Sequence, residues 1–152
     1  QEKVYRKTDG GVPMNVFAKS SPEWPLRLGL GAMYLYSGID LVLHPTAWAW
    51  AIPYWLRQTV ISVVPLNTYL QLQGAVEIIF ALVLLAWFLP RALVRGAALL
   101  SALEFLVILA LAFSPFSEAN FLITFRDIGL LGASIALFMI LREEQYAGIR
   151  PS

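Results

Sequence analysis

The feature that most constrains this chain is a series of apolar stretches of about the length needed to cross a lipid bilayer. A crossing takes roughly 20 helical residues, because the hydrocarbon core is about 30 Å thick and a helix rises about 1.5 Å per residue. Three such stretches, each followed closely by a proline, occupy residues 26–43, 69–89 and 93–113. With 59% hydrophobic and 14% charged residues, the composition also favours a membrane protein.

A fourth span requires that charged residues enter the membrane. The uncharged run at residues 128–141 would cover only about 21 Å as a helix, which is shorter than the hydrocarbon core. We therefore predict that the fourth span occupies residues 121–141 and carries Arg126 and Asp127 into the membrane. The sequence thus predicts an all-α fold, an integral membrane four-helix bundle in which the second and third spans form an antiparallel hairpin across a very short turn.

Small residues mark one face of the first span. Gly31 and Gly38 are seven residues apart, which is close to two helical turns. Because small residues let two backbones come close, we expect another helix to pack tightly on this face.

The linker between the first and second spans is rich in aromatic residues. The linker occupies positions 45–68, and its aromatic residues include Trp48, Trp50, Tyr54 and Trp55. Trp and Tyr side chains prefer the headgroup layer of a membrane, and Pro53 can open a short helix with one apolar face. We therefore predict an interfacial helix on the outer surface, between the first and second spans.

Basic residues are distributed unevenly between the two sides of the predicted bundle. Nine lie on the side of the termini and of the turn after the second span, against Arg57 and Arg126 on the other side. Cytoplasmic loops carry the excess of Lys and Arg, so both termini are predicted to be cytoplasmic. Residues 1–22 then form a cytoplasmic N-terminal arm, residues 23–142 the transmembrane domain and residues 143–152 a cytoplasmic tail.

Five ionisable residues and one amide in the predicted spans are candidates for a ligand-binding site or an internal polar network. The candidates are Asp40, Gln73, Glu77, Glu104, Arg126 and Asp127. A charge at a helix centre costs roughly 2.5 to 3.5 kcal/mol and needs a partner or water. By helical rise, Glu77 and Glu104 share a level about 12 to 14 Å below the outer end, whereas Asp40, Arg126 and Asp127 form a layer about 5 to 9 Å deep.

Two interpretations of these residues remain open. Buried charges can pair and fix the register of helices, or they can bind a ligand. In the outer layer, Arg126 can pair with Asp40 or, less easily because of its direction along the helix, with Asp127. For Glu77 and Glu104 a functional role is favoured, because no basic residue shares their level.

Several other kinds of site are not supported. The net charge of +1 and the scattered basic residues argue against a nucleic-acid partner. The chain has no cysteine, so neither a thiol redox pair nor a thiolate-held cluster can form. His44 is the single histidine and is interpreted as a helix-end residue. We therefore predict no intrinsic metal or haem site, and no catalytic residue can be assigned.

Five short segments between Arg27 and Leu141 are similar to the sequences of a known family. They are residues 27–30 (RLGL), 35–41 (LYSGIDL), 74–79 (GAVEII), 91–98 (RALVRGAA) and 125–132 (FRDIGLLG). In these segments the chain resembles the DoxX-like family of small membrane proteins. The positions that match best are Arg27, Gly38, Glu77 and Asp127, whereas the family often carries a lysine at the position of Asp40.

The resemblance implies a four-helix bundle in the cytoplasmic membrane of a prokaryote. Its leading functional implication is a non-catalytic subunit of a larger membrane redox or energy-converting complex, with a quinone or lipid pocket in its outer half. The expected partners are membrane lipids and other membrane subunits. Two alternatives stay open, namely the quinone-reducing membrane subunit of a thiosulfate:quinone oxidoreductase and a small proton-coupled carrier. In the first alternative, Glu77 or Glu104 would take part in proton uptake at the quinone.

Overall fold

The computed structural model describes residues 21–113 and 121–147, and for residues 121–124 and 143–147 it describes the backbone alone. The described residues are all-helical and contain no strand. The elements are α1 (Glu23–Leu43), a 3-10 helix (Pro45–Ala51), α2 (Tyr54–Ile61), α3 (Leu66–Leu85), α4 (Arg91–Ala112) and α5 (Phe121–Ala147). The predicted arm at residues 1–22 lies almost wholly outside the described residues, as does much of the predicted tail at residues 143–152.

Three of the described helices, α1, α3 and α4, are long and apolar enough to cross a membrane. Their outward faces expose large apolar side chains, such as Leu72, Ile79 and Leu106 at 61%, 58% and 53% exposure. Apolar surface of this extent is typical of contact with lipid, so the chain is a helical membrane protein, as predicted. The fourth long helix, α5, measures about 40 Å and carries Arg126 and Asp127 near its start. Its crossing of the membrane stays a prediction.

The four long helices form two closely packed pairs. Helix α1 packs along α3, and α4 packs along α5, whereas fewer residues meet between α3 and α4 or between α1 and α5. The helices therefore follow one another around the bundle in the order α1, α3, α4, α5. The predicted hairpin of α3 and α4 is present across residues 86–90, but it is not the tightest pair. We call the end of the bundle at residues 86–90 the turn end, and the end that carries the 3-10 helix and α2 the linker end.

The closest approach between helices joins Gly38 of α1 to Gly74 of α3. A Cβ atom at Gly38 would lie 2.8 Å from the carbonyl oxygen of Gly74, and a Cβ atom at Gly74 would lie 2.7 Å from that of Gly38. On the same face of α1, a Cβ atom at Gly31 would lie 2.7 Å from the side chain of Leu85. The predicted close packing on the Gly31 and Gly38 face is therefore confirmed.

A buried arginine fixes the turn end of α3. Arg27 is 3% exposed and donates to the carbonyl oxygens of Leu84 at 2.7 Å and Ala86 at 2.6 Å. The last carbonyl groups of a helix have no partner within it, so Arg27 satisfies two of these groups and ties α1 to the end of α3. Glu23, one turn earlier, accepts a hydrogen bond from Arg27 at 2.7 Å and balances the buried charge.

The observed helix bounds differ from the predicted spans by a few residues. The sequence predicts the second span at residues 69–89. In the structure, α3 begins at Leu66, directly after Pro65, and ends at Leu85. A helical conformation is disfavoured for the residue before Pro90, and Arg27 binds the carbonyl groups where α3 stops. Helix α5 begins at Phe121, as predicted, and continues past residue 141 to Ala147.

The glycine contact between α1 and α3 can be tested with two alanine substitutions. We expect Gly38→Ala to lower the free energy of unfolding by about 1 to 3 kcal/mol, because the new Cβ atom meets backbone and the two helices must separate. Gly29→Ala is the control, because a Cβ atom there meets nothing within 4 Å. It should leave stability unchanged or raise it by up to about 1 kcal/mol. Unfolding in mixed detergent micelles measures both, and equal stability of the two variants would contradict the close approach.

Candidate functional site

Polar side chains from all four long helices meet in the interior of the bundle. They are Tyr34 and Ser37 of α1, Gln73 and Glu77 of α3, Ser101 and Glu104 of α4, and Ser134 of α5. We call these seven residues the polar cluster. Nearer the turn end, the bundle is packed with apolar side chains, among them Leu30, Leu84, Val94, Leu137 and Leu141. The interior therefore changes from apolar to polar along the length of the helices.

Tyr34 is the central residue of the polar cluster. It is 2% exposed, and its ring lies 5.4 Å from that of Phe80 and 5.7 Å from that of Phe105, measured between centroids. Its hydroxyl group is hydrogen-bonded to Oγ of Ser101 at 2.7 Å and to Oε2 of Glu104 at 3.0 Å. A single side chain of α1 is thus joined to α4 by two hydrogen bonds through the middle of the bundle.

Glu104 is held from two helices. Besides Tyr34 of α1, the amide of Gln73 on α3 donates from Nε2 to Oε1 of Glu104 at 2.5 Å. Both Gln73 and Glu104 are half-buried, unlike the fully buried Tyr34. The Gln73–Glu104 hydrogen bond spans the looser contact between α3 and α4, so these two half-buried members of the polar cluster lie on that side.

Glu77 is bound within the tight pair of α1 and α3. It is 9% exposed and accepts a hydrogen bond from the hydroxyl group of Ser37. Gln73, which binds Glu104, lies one turn before Glu77 on the same face of α3. Of the six residues that the sequence singled out, Gln73, Glu77 and Glu104 thus belong to one connected region.

A continuous chain of hydroxyl groups runs from Glu104 to α5. Oγ of Ser101 lies 2.9 Å from Oγ of Ser134, which in turn donates to the carbonyl oxygen of Leu130 at 2.9 Å. The four hydrogen bonds between the Leu130 carbonyl and the Glu104 carboxyl group pass through three hydroxyl groups, each of which has one hydrogen. Because Tyr34 donates to Glu104 and Ser134 donates to Leu130, the single hydrogen of Ser101 serves either Tyr34 or Ser134 at one time.

Asp40 lies outside the polar cluster, near the linker end of α1. Its carboxylate accepts a hydrogen bond from Nε1 of Trp48 at 2.8 Å and lies 2.8 Å from Nδ1 of His44. These contacts tie the end of α1 to the 3-10 helix. The pair of Asp40 with Arg126, the favoured alternative from the sequence, is not formed, because Asp40 is already bound at the linker end.

Arg126 pairs instead with its neighbour Asp127. Its Nε and one terminal nitrogen each lie 3.0 Å from Oδ1 of Asp127. The side chain of Asp127 is 7% exposed, whereas that of Arg126 is 57% exposed. The less favoured alternative is formed because the long arginine side chain can turn back over the adjacent carboxylate while most of its surface stays accessible.

Sequence reasoning missed Tyr34 and Ser134, and it gave Ser101 no role. A signal was present for two of these residues in the spacing of polar side chains within apolar spans. Tyr34 and Ser37 are three residues apart, as are Ser101 and Glu104, so each pair shares a helix face. Ser134 stands alone among apolar residues, and nothing in its spacing indicated a contact with α4.

The fold and the polar cluster define a helical membrane protein with a hydrogen-bonded polar centre between two helix pairs. Comparison of the chain with family models, with curated proteins and with solved structures finds no match. The resemblance to the DoxX-like family therefore stays a prediction. Among the residues that the structure describes, no three His, Asp or Glu side chains are grouped so as to hold a metal ion.

The central role of Tyr34 can be tested by removing its hydroxyl group alone. We expect Tyr34→Phe to lower the free energy of unfolding by about 1 to 3 kcal/mol, because Ser101 and Glu104 lose a buried partner while the ring packing is kept. Tyr36→Phe is the matched control, since Tyr36 is 74% exposed and should change stability by less than about 0.5 kcal/mol. Detergent unfolding measures both variants. A Tyr34→Phe variant as stable as the control would show that the hydroxyl group does not join the helix pairs.

Proposed function

We propose that the protein is a DoxX-like subunit of a membrane redox complex and that the polar cluster binds the headgroup of a quinone. The observation that carries the proposal is the hydrogen-bonded set of Tyr34, Gln73 and Glu104 at the junction of two apolar helix pairs. Polar and ionisable groups inside a membrane are costly, and where they occur they mark ligand or proton sites.

The chemistry of this set fits the two carbonyl groups of a quinone. A carbonyl oxygen accepts hydrogen bonds, and the hydroxyl group of Tyr34 and the amide of Gln73 are donors. Both donors are bound to Glu104 in the structure, so a quinone would have to replace the carboxyl group of Glu104 as their acceptor. Phe80 and Phe105 stand beside Tyr34 and offer apolar ring surfaces to a planar headgroup.

The looser side of the bundle offers a route from the lipid to the polar cluster. Quinones are dissolved in the bilayer and must enter between helices. Gln73 and Glu104 are the half-buried members at the contact of α3 with α4, whereas the contact of α1 with α3 is closed by Gly38 and Gly74. Entry between α3 and α4 therefore requires the least rearrangement of packed helices.

The carboxyl group of Glu104 is placed to hold a proton for a bound quinone. Reduction of a quinone consumes protons together with electrons, and a carboxyl group within hydrogen-bonding reach can supply them. In this proposal Glu104 holds the proton, while Tyr34 and Gln73 orient its carboxyl group. Glu77 provides a second carboxyl group nearby. The electrons come from another subunit of the complex, so the chain itself is not the catalyst.

The proposal places the protein in the cytoplasmic membrane of a prokaryote, with α5 as the fourth span and both termini in the cytoplasm. The distribution of basic residues supports this orientation. At the turn end the described part of the chain carries Arg27, Arg91, Arg95 and Arg142. The linker end, with its aromatic side chains, then faces the outer surface, and the polar cluster lies in the outer half of the bundle.

The proposal can be tested by binding of a short-chain quinone to the purified protein, measured as quenching of intrinsic fluorescence. We expect Glu104→Gln and Glu77→Gln to raise the dissociation constant by about threefold to tenfold, as is typical when a hydrogen bond between neutral groups is lost. Asp40→Asn makes the same chemical change outside the polar cluster and should bind as the unaltered protein does. Circular dichroism and gel filtration check that each variant is folded.

Two results would contradict the proposed function. One is the absence of quinone binding by the unaltered protein, and the other is unaltered binding by both folded glutamine variants. Quinone reduction with thiosulfate by the purified chain alone would favour the oxidoreductase alternative over a non-catalytic subunit.

A further inference from the structure

A groove between α4 and α5 lies at the turn end of the bundle. Its volume is about 330 Å³, and it is lined by Ala92, Arg95, Gly96, Leu99, Phe138 and Arg142. None of these residues belongs to the polar cluster, and none has a part in the proposed binding of a quinone. The groove is therefore separate from the proposed quinone site.

The lining residues are arranged in two levels. Arg95 and Leu99 are four residues apart on α4, and Phe138 and Arg142 are four residues apart on α5, so each pair lies on one helix face about 6 Å apart along the axis. Helix α4 begins at the turn end and α5 finishes there, so the two helices run in opposite directions. Both arginines therefore lie nearer the end of the bundle, and both apolar side chains lie one turn deeper.

We propose that this groove binds an anionic phospholipid, with its phosphate between Arg95 and Arg142 and an acyl chain over Leu99 and Phe138. A guanidinium group is suited to a phosphate because its planar fork of donors can bind two phosphate oxygens at once. The two levels of the groove match the order of groups in a phospholipid, in which the charged phosphate lies above the acyl chains. A free phosphate ion has no apolar part that could pack on Leu99 and Phe138.

Gly96 leaves room for the lipid between the two levels. A Cβ atom at this position would meet nothing within 4 Å, so the space above α4 is open. At the turn end the sequence places Arg95 and Arg142 together with Glu143 and Glu144, so recognition of the lipid phosphate depends on the geometry of the two guanidinium groups and not on net charge alone. The proposal thus combines a groove of adequate volume, two cations at one level and an apolar surface below them.

Lipid binding can be measured by native mass spectrometry of the detergent-solubilised protein. The probes are phosphatidylglycerol and phosphatidylcholine with identical acyl chains, so that only the headgroup differs. We expect phosphatidylglycerol to bind about tenfold more tightly or better, because its phosphate charge is not balanced within the headgroup. Millimolar inorganic phosphate should not displace it. Displacement by phosphate would identify a free-anion site and overturn the proposed lipid.

Two variants separate this site from a general effect of charge. Arg95→Gln with Arg142→Gln should weaken phosphatidylglycerol binding roughly thirtyfold, since each arginine near an anionic headgroup contributes on the order of fivefold. Gly96→Leu should weaken it about tenfold without any change of charge, because the side chain fills the groove.

Arg57→Gln is the control, because it removes one arginine charge at the linker end, away from the groove, and should leave lipid binding within about twofold. The proposal is overturned if the unaltered protein binds both lipids equally. It is also overturned if the double variant and Gly96→Leu bind phosphatidylglycerol as the unaltered protein does.

Discussion

Inside a membrane, a polar side chain must find its hydrogen-bonding partners within the protein, because the hydrocarbon offers none. In this bundle that requirement is met through Tyr34, whose hydroxyl group binds Ser101 and Glu104. The tight pairs α1–α3 and α4–α5 are each closed by their own packing, but the sides between the pairs are looser. The relative position of the two pairs therefore depends on the polar cluster as well as on the apolar core nearer the turn end.

The difference between tight helix pairs and looser contacts between the pairs links the packing to the proposed function. At Gly38 and Gly74 the backbones of α1 and α3 are in contact, so that pair cannot easily separate. The α3–α4 side is bridged by Gln73 and Glu104, and hydrogen bonds between membrane helices contribute only about 0.6 to 2 kcal/mol each. A ligand that replaces this bond can therefore enter with a small loss of stability, while the tight pairs stay intact.

The sequence predicted features that depend on single segments, and it failed where contacts depend on how helices are rotated against each other. Apolar length was sufficient to locate α1, α3 and α4, and helical rise brought Glu77 and Glu104 to neighbouring levels. The partner of Gly38 could not be predicted, because several helices could have packed on that face. The sequence indicated Arg27 only as a position that matches the DoxX-like family. Its contact with the end of α3 could not be predicted, because it joins residues more than fifty positions apart. Asp40 was assigned to the outer layer by depth, but its depth did not reveal that Trp48 and His44 would bind it.

The proposed crossing of the membrane by all four long helices is tested most directly by the side of the membrane that each connection reaches. The chain has no cysteine, so single cysteines can be placed at Thr59 in α2, at Trp87 between α3 and α4, and after Ser152. A membrane-impermeant maleimide applied to sealed vesicles of known orientation then reports the side of each position. The account predicts that the cysteines at Trp87 and after Ser152 react from the same side and that the cysteine at Thr59 reacts from the opposite side. Labelling of the C-terminal cysteine from the same side as Thr59 would show that α5 does not cross, and it would contradict the four-span enclosure of Glu104 and Tyr34.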